Sequence, residues 1–498
     1  MLTKALEELK QLELELFALG HAMGILSYDG VTCAPKTSAV PREKTMGVLS
    51  EMEYRVLVND RVKDLLAELN ENRESLNDIQ KKEVSELSDR LRRTTCIPAK
   101  EYAAYASLVT KASDVWHESK KNSDFASFLP YLEKIVETNI RFAAYRAPDK
   151  DPYDAVLDEY EKGACKKDLD LFFSRLQKEL TPLVLAIGKC PAPKDIEGVF
   201  PIEKQRVFSE RLMRLMGLPK ESCIIGETEH PFTDDASKWD VRITTHYHED
   251  QVLSSMYSVI HEGGHALYEL GVADELQFTC LGGGSSMGVH ESQSRFYENI
   301  IGRSRAFVHM IYPVMRECFP AEMAPYSEED LYRAVNRAMP SLIRTEADEL
   351  TYPMHVMVRY ELEKALFDGS LCCRDLPGEW NRLYKQYLGV DVPNDREGVL
   401  QDSHWSGGAL GYFPSYALGS AYGAQMLSCM KKTVDVDGCV AAGDLTPVTA
   451  WLRDRIHRYG RLLDPADLCR SAFDGAAFDP GAYIRYLTDK FTAIYALK

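Results

Sequence analysis

The sequence predicts a mainly α-helical protein. Apolar residues recur at steps of three and four over long stretches, which is the spacing of an amphipathic helix, and runs in which apolar and polar residues alternate are few. We therefore expect helices to form most of the fold. The clearest helical patterns cover residues 2–19, 84–93, 168–188, 307–317 and 352–367.

One segment has the pattern of a strand instead. In residues 241–247, β-branched and aromatic residues alternate with polar ones, as in a half-buried strand. Residues 277–280 form a shorter candidate that we expect to pair nearby. The sequence contains no Pro/Ser/Gly-rich linker, low-complexity tract or internal repeat that would mark a domain boundary. We therefore expect residues 1–498 to form a single unit with a small sheet.

The composition excludes several classes of protein. With 498 residues and 27% charged residues the chain is an ordinary large globular protein, and its net charge of -17 opposes nonspecific binding to nucleic acid. The first residues are charged, unlike a signal peptide, and no apolar run is long enough to span a bilayer. The twelve cysteines lack the paired spacing of a zinc ribbon, so we expect reduced thiols. These features predict a cytoplasmic protein that binds neither nucleic acid nor membranes.

A zinc-binding motif lies in an apolar, helix-like stretch at residues 256–270. His261 and His265 are four residues apart, so both imidazoles project from one face of a helix and can reach a single Zn²⁺. Glu262, beside the first histidine, can take a proton from a water molecule that the metal activates. This H-E-x-x-H pattern indicates a metallopeptidase. The alternative is a structural helix with two hydrogen-bonded core histidines.

Two glycines inside the motif argue against the structural alternative. In a helix interior, Gly263 and Gly264 each cost about 1 kcal/mol relative to alanine, which makes sense where a substrate or another backbone comes close. Gly271 is expected to end the helix in the left-handed conformation that glycine adopts without a side-chain clash.

A catalytic zinc site needs a third protein ligand and an open position. The downstream candidates are Glu269, Glu275, Glu291 and Glu298. Glu269 lies about 12 Å from His261 along a helix axis, too far to share one ion comfortably, whereas spacing leaves Glu275, in a polar turn, as an alternative. Glu291 is the better choice. It opens a second helical pattern after the glycine-rich residues 281–288, which allow the chain to reverse and to place a carboxylate opposite the histidines.

Arg295 and Glu298 follow Glu291 by four and seven residues and lie on the same helix face. Both positions suit a side chain that holds the ligand carboxylate or a ligand histidine from behind. The alternative interpretation is an ordinary ion pair within the helix.

The chain contains six short motifs in the order HPF at residues 230–232, DVRIT at 240–244, HEGGH at 261–265, HESQ at 290–293, IRTEAD at 343–348 and GVLQDSHW at 398–405. This ordered set resembles that of the carboxypeptidase Taq family, the thermostable metallocarboxypeptidases. The resemblance extends upstream to residues 116–131 and 151–154 and downstream to residues 411–416, so it covers nearly the whole chain.

The resemblance implies an elongated helical fold with a deep groove and a small sheet beside the zinc helix. It also implies a homodimer that binds Zn²⁺, with Co²⁺ or Mn²⁺ as substitutes, and acts on peptides with a free C-terminus. Arg344 matches the family arginine expected to bind the peptide's α-carboxylate through its planar fork. Arg242 is the weaker alternative, since an ion pair with Asp240 would explain it structurally. His230 is another family position near the groove.

The sequence suggests hydrolysis of the last peptide bond by a metal-activated water, with Glu262 as the general base that later protonates the leaving amine. The oxyanion needs a hydrogen-bond donor, and His404, Tyr412 and Tyr416 are candidates that the sequence does not rank. The alternatives are an oligopeptidase or aminopeptidase with the same metal site, and a noncatalytic peptide-binding protein. The last is disfavoured because a binding protein has no need of a general base.

Overall fold

A computed structural model describes residues 2–497, and helices predominate in it. Among these residues, no helix is long and apolar enough to cross a membrane. The helices of the first part of the chain are α1 (Leu2–Thr32), α2 (Ala39–Leu57), α3 (Asp60–Glu71), α4 (Asp78–Thr95), α5 (Ala99–Asn122), α6 (Phe125–Arg146), α7 (Pro152–Tyr160), α8 (Lys166–Ile187) and α9 (Ile202–Met216).

A three-stranded sheet follows these helices in the sequence. Its strands are β1 (Cys223–Glu227), β2 (Thr233–Ser237) and β3 (Asp240–Thr245). The helices that follow are α10 (Val252–Gly271), α11 (Met287–Arg295), α12 (Arg305–Cys318), α13 (Glu328–Val335), α14 (Tyr352–Asp368), α15 (Leu376–Leu388), α16 (Pro414–Met430), α17 (Val436–Ala441), α18 (Thr446–Arg455), α19 (Pro465–Ala472) and α20 (Pro480–Tyr495).

The strand order β1-β3-β2 makes β2 an edge strand. β3 pairs in parallel with β1 and antiparallel with β2, and β2 and β3 both pack against α10. The predicted mainly α fold with a small sheet beside the zinc-motif helix is therefore confirmed.

The apolar side chains form two large cores. The larger core extends from α5 to α20 and includes residues of the sheet. The smaller one, which we call the N-terminal core, is built mainly from α1, α3 and α4 and contains Leu69 and Val84, both without exposed surface. A polar contact ties α1 to the segment that follows α10, where the backbone N–H of Cys280 donates to Glu13 at 3.0 Å.

The segments predicted to be helical lie in α1, α4, α8, α12 and α14, apart from Gly188, which follows the last residue of α8. The strand predicted at residues 241–247 is β3, which ends at Thr245. The strand predicted at residues 277–280 is wrong, because these residues form turns. Phe278 adopts a φ of 64°, which lies in the left-handed region and does not fit a strand.

The backbones of α10 and α11 approach each other closely at Gly264. A Cβ atom on this residue would lie 2.7 Å from the Cα atom of Ser294 and 2.8 Å from the carbonyl oxygen of Gln293. At Gly263, a Cβ atom would lie 2.7 Å from the terminal methyl carbon of Met216 on α9. The expectation that a second backbone comes close to this motif is therefore confirmed at Gly264.

The last residue of α10 is Gly271, as predicted, but it does not adopt the left-handed conformation. The chain instead leaves the helix through Val272 in an extended conformation. Glycine is required here for space, since a Cβ atom would lie 2.6 Å from the Cβ atom of His457.

Replacing Gly264 with alanine should push α10 and α11 apart and lower the free energy of unfolding by roughly 3 kcal/mol, the upper part of the usual range for overpacking. The matched control is Gly20→Ala in α1, where an added Cβ atom meets nothing within 4 Å. That control should gain up to about 1 kcal/mol from the better helix propensity of alanine. Denaturant unfolding followed by circular dichroism measures both, and a Gly264→Ala variant as stable as wild type would contradict the packing argument.

Candidate metal centre and active site

Three predicted ligand atoms meet between α10 and α11. The Nε2 atoms of His261 and His265 lie 3.8 Å and 3.7 Å from Oε2 of Glu291, and the three atoms are all within 4.8 Å of one another. Donor atoms around a single ion with bonds of about 2 Å have separations of this size. Glu291 on α11 therefore completes the site, and neither Glu269 nor Glu275 belongs to this group.

The chemistry and orientation of these residues fit a divalent metal ion. Two imidazoles and one carboxylate form a donor set of catalytic zinc sites. Each histidine has its Nδ1 atom within hydrogen-bond distance of another side chain, so its Nε2 lone pair is left to face Glu291. The side chains of His261 and His265 remain 21% and 16% exposed, which keeps one side of the site open to solvent.

Arg295 and Glu298 hold two of the ligands from behind. Glu298 Oε2 lies 2.8 Å from Nδ1 of His261, and Arg295 Nε donates to Oε1 of Glu291 at 2.8 Å. Arg295 also pairs with Glu298 at 3.0 Å. The two residues therefore support the ligands and also form the ion pair within the helix that was the alternative interpretation. Burial opposes ionisation of Glu298, but Arg295 and His261 outweigh it and hold the pKa of this carboxyl far below its ordinary range.

Glu298 lies in a π-helical segment, Phe296–Ile301, that continues α11. π-Helical turns are rare in proteins, and those that exist are often found at functional sites. The sequence predicted an ordinary helix across these residues, and the wider turn begins directly after Arg295.

The second ligand histidine has a different partner. Nδ1 of His265 lies 2.6 Å from Nδ1 of His290, and Nε2 of His290 lies 2.6 Å from Oε1 of Glu269. Burial lowers the pKa of His265 well below its ordinary value, so this ring is neutral, which is the form that binds metal. Glu269, which is too far away to be a ligand, is thus connected to His265 by hydrogen bonds through the imidazole of His290.

Glu262 is buried beside the ligands at the edge of the sheet. Thr233, the first residue of β2, donates its hydroxyl to Oε2 of Glu262 at 2.7 Å and lies 3.0 Å from the backbone carbonyl of the same residue. Burial raises the pKa of Glu262. A raised pKa moves a carboxyl group toward the range in which it exchanges protons efficiently near neutral pH.

Arg344 is buried, with 5% of its surface exposed, in a short turn before α14. Its Nε and Nη2 atoms donate to Asp402 Oδ1 at 3.0 Å and 2.8 Å, and its Nη1 atom donates to the Tyr352 hydroxyl at 3.0 Å. Arg359 binds the other oxygen of Asp402 at 2.7 Å. Two guanidinium groups thus share one carboxylate, which leaves this cluster with a net positive charge.

His404, Tyr412 and Tyr416 lie together. Nε2 of His404 is 3.3 Å from the hydroxyl oxygen of Tyr416, and the two tyrosine rings meet edge to face with centres 5.0 Å apart. Burial lowers the pKa of His404 to about 4 and raises the pKa of both tyrosines. At neutral pH the imidazole is therefore uncharged and both phenols keep their protons.

Helix α16 carries Tyr416 and packs against the ligand Glu291. Tyr416 lies in its first turn, and a Cβ atom on Gly419, three residues later, would lie 2.8 Å from the Cβ atom of Glu291. The guanidinium carbon of Arg344 is 5.1 Å from the ring centre of Tyr416. The backbone of α16 thus contacts Glu291, and the ring of Tyr416 on the same helix lies beside the Arg344 guanidinium.

Arg242 and His230 occupy the sheet region. Arg242 on β3 forms a two-bonded ion pair with Asp240 at 2.8 Å and 2.7 Å, the structural arrangement considered from the sequence. Its guanidinium also lies 5.0 Å from the ring centre of Tyr28. His230 is exposed in the segment before β2, where its carbonyl accepts a hydrogen bond from Thr228.

The sequence profile of the carboxypeptidase Taq (M32) metallopeptidase family matches residues 8–491. The chain belongs to this family. Carboxypeptidase 1 of Bacillus subtilis is 39% identical to this M32 chain over 481 residues, which is 96% of both proteins. Thermostable carboxypeptidase 1 of Pyrococcus furiosus is 37% identical over 489 residues, again 96% of both.

Solved structures agree with this assignment. The crystal structure of the M32 carboxypeptidase from Deinococcus radiodurans has a TM-score of 0.96 and 34% identity, and the match covers 99% of this chain and 100% of that one. Trypanosoma cruzi metallocarboxypeptidase 1 has a TM-score of 0.93 and 33% identity, covering 98% and 99%. The predicted metallocarboxypeptidase is confirmed, which disfavours the oligopeptidase, aminopeptidase and noncatalytic alternatives.

Sequence reasoning missed several residues that contact the site of this M32 carboxypeptidase. His290 lies directly beside Glu291 in the motif at residues 290–293, so a histidine next to a ligand was an available signal. Asp402 lies in the motif at residues 398–405, two residues before His404, but nothing in the sequence pairs it with Arg344. Thr233 had no such signal. It lies 29 residues before Glu262 and reaches it only because β2 packs against α10.

Removing Glu291 tests the choice of third ligand in the M32 site. Glu291→Ala leaves two histidines, and dialysis against a mild chelator should then strip the metal. Glu275→Ala is the matched control, because Glu275 is exposed and outside the ligand group, and it should keep its metal. Metal analysis after dialysis measures both, and loss of metal from the Glu275 variant alone would overturn the assignment.

Proposed function

We propose that this metallocarboxypeptidase hydrolyses the C-terminal peptide bond of peptides with a bound Zn²⁺ and with Glu262 as general base. The observation that carries the proposal is the convergence of two imidazoles and the Glu291 carboxylate next to a buried carboxyl group that is not a ligand. Co²⁺ and Mn²⁺ suit the same nitrogen and oxygen donors, and we propose them as substitutes.

A metal ion bound here supplies Lewis-acid polarisation of the scissile carbonyl and lowers the pKa of a water molecule. Glu262 is the residue that takes up the proton. Thr233 occupies its Oε2 atom, while Oε1 accepts no hydrogen bond from any residue between 2 and 497. Glu262 then delivers the proton to the leaving amine, which departs poorly as an anion.

His404, Tyr412 and Tyr416 are the proposed source of a hydrogen bond to the developing oxyanion. The raised pKa values of both tyrosines keep their hydroxyl groups protonated, as a donor must be. Tyr416 lies three residues before Gly419, whose backbone packs against Glu291, and this placement supports the role. The lowered pKa of His404 leaves it neutral, so it donates from only one ring nitrogen.

Arg344 is the proposed anchor for the α-carboxylate of the substrate. Asp402 and Tyr352 use three of its five N–H groups and fix the plane of the guanidinium. One N–H on each terminal nitrogen remains for the substrate. Arg359 shares Asp402, so the net positive charge of the cluster favours an incoming carboxylate despite the internal ion pair.

Glu262→Gln tests the general base. The substitution keeps the size of the side chain and all three metal ligands, so metal content should stay near one ion per chain while kcat falls by several orders of magnitude. Glu275→Gln, at an exposed position, is the control and should keep normal turnover. Near-normal activity of Glu262→Gln with full metal content would sink the assigned role.

Arg344→Ala tests what makes the enzyme a carboxypeptidase. Loss of the anchor should lower kcat/KM for free-acid peptides on the order of a hundredfold, equivalent to roughly 3 kcal/mol, while metal content is unchanged. Arg344→Lys should recover part of the loss because a point charge still attracts the carboxylate. Mass spectrometry should show that wild type barely cuts the amidated form of the same peptide.

The comparison for that experiment is Arg242→Ala, in which the ion pair with Asp240 is lost. We expect it to process free-acid peptides much as wild type does. If Arg242→Ala is impaired and Arg344→Ala is not, carboxylate recognition belongs to Arg242.

We also propose a cytoplasmic homodimer that acts on peptides with a free C-terminus. The twelve cysteines are all free thiols, which is typical of proteins in a reducing compartment. Dimerisation rests on the family resemblance alone. Light scattering should therefore give twice the 56.3 kDa mass of one chain at micromolar concentration, and the mass of a single chain would contradict it.

A further inference from the structure

The two metal-binding histidines are supported in different ways. Behind His261 stands a carboxylate, Glu298, at 2.8 Å. Nδ1 of His265 instead lies 2.6 Å from Nδ1 of a second imidazole, His290. Nε2 of His290 in turn lies 2.6 Å from the carboxylate of Glu269. Glu269 is only 5% exposed, so the carboxylate end of this hydrogen-bonded series is buried, while the side chain of His290 is 25% exposed.

The order of these groups fixes the protons on both rings. His265 turns Nε2 toward Glu291, so a metal ligand at this position carries its proton on Nδ1 and donates it to Nδ1 of His290. His290 then has its own proton on Nε2 and donates it to Oε1 of Glu269. Each ring is left with one tautomer, and the carboxylate at the end of the chain selects it.

The glycine-rich segment before α11 packs against His290 and Glu269. The Gly284 backbone N–H donates to Oε1 of Glu269 at 2.8 Å, and a Cβ atom on Gly284 would lie 2.4 Å from Cδ2 of His290. Arg461 donates to the carbonyl oxygen of Gly284 at 2.9 Å and so fixes the segment from outside. His290 therefore has little freedom to rotate away from His265.

We propose that His290 and Glu269 are positioning residues that hold His265 in the tautomer and orientation required for metal binding, and thereby set how tightly the site retains its metal. The inference rests on the proposed function, because it requires His265 to be a metal ligand. Neither side chain belongs to the three metal ligands, and His290 reaches the site through its contact with Nδ1 of His265.

The test measures metal affinity by chelator competition and the visible absorption spectrum of the Co²⁺-loaded protein. His290→Ala removes the acceptor for His265 and should weaken metal binding by about 10- to 100-fold, the usual effect of losing such a partner. It should also change the Co²⁺ spectrum, because His265 is free to turn. A merely structural role for His290 would change the melting temperature but leave the spectrum of the folded protein unaltered.

Two further variants keep the test decisive if His290→Ala folds poorly. His290→Asn places a side-chain oxygen near the former Nδ1 position and should recover much of the affinity and the spectrum. Glu269→Gln keeps the size of the side chain but removes the charge, so its affinity should lie between those of wild type and His290→Ala. The matched control is His309→Ala on α12, an exposed histidine that lies 3.2 Å from Glu328, which should behave as wild type.

The outcomes separate this inference from the proposed function. If Glu291→Ala loses metal while folded His290→Ala and Glu269→Gln bind Co²⁺ with wild-type affinity and spectrum, the positioning role is overturned and the metallocarboxypeptidase site stands. If wild type itself binds no divalent metal, the proposed function fails, and the positioning role fails with it.

Discussion

The contact between α10 and α11 is the constraint on which the rest of the site depends. One helix carries two metal ligands and the other carries the third, so their separation decides whether three atoms can share one ion. Gly264 sets that separation, because its missing side chain lets the backbone of Ser294 come within van der Waals distance. Gly419 on α16 does the same on the other side of Glu291. The site is therefore shaped as much by absent side chains as by the ligands themselves.

Charge compensation is the second requirement of this arrangement. Burying a carboxylate without a partner costs several kcal/mol, and the region between α10, α11 and α14 contains several carboxylates. Arg295 pairs with both Glu291 and Glu298, while Asp402 pairs with two arginines. The first cluster favours a cation at the ligands and the second favours an anion beyond them. These opposite preferences match a substrate whose scissile bond and terminal carboxylate lie a short distance apart.

Sequence reasoning succeeded where the signal is local. His261, Glu262 and His265 share two turns of one helix, so spacing alone placed them together, and the glycine-rich stretch before α11 explained how Glu291 could return to face them. Contacts across elements were harder to foresee. Thr233 reaches Glu262 from a strand, and the ion pair of Arg344 with Asp402 spans 58 residues, separations for which periodicity carries no information.

The errors of the sequence interpretation have the same origin. The polar and apolar pattern at residues 277–280 resembled a short strand, but the pattern does not encode the positive φ of Phe278. Gly271 was assigned a conformational reason, whereas its neighbour His457, far along the chain, supplies a steric one. In both cases tertiary packing overrode a local preference. The π-helical turn at Phe296–Ile301 belongs to the same class, since no residue in it breaks an α-helical pattern.

The N-terminal core has a consequence for the dynamics of the molecule. Helices α1, α3 and α4 bury their apolar side chains mainly against one another, so we expect this layer to open at a lower free-energy cost than the whole protein. Its amide protons then exchange with solvent through this partial opening. The amide protons of α10 and α11 lie in the larger core, so their exchange requires a more extensive opening of the structure. A bound metal ion would stabilise only states in which α10 and α11 are docked, so we expect it to slow exchange in these helices and to leave the N-terminal layer almost unchanged.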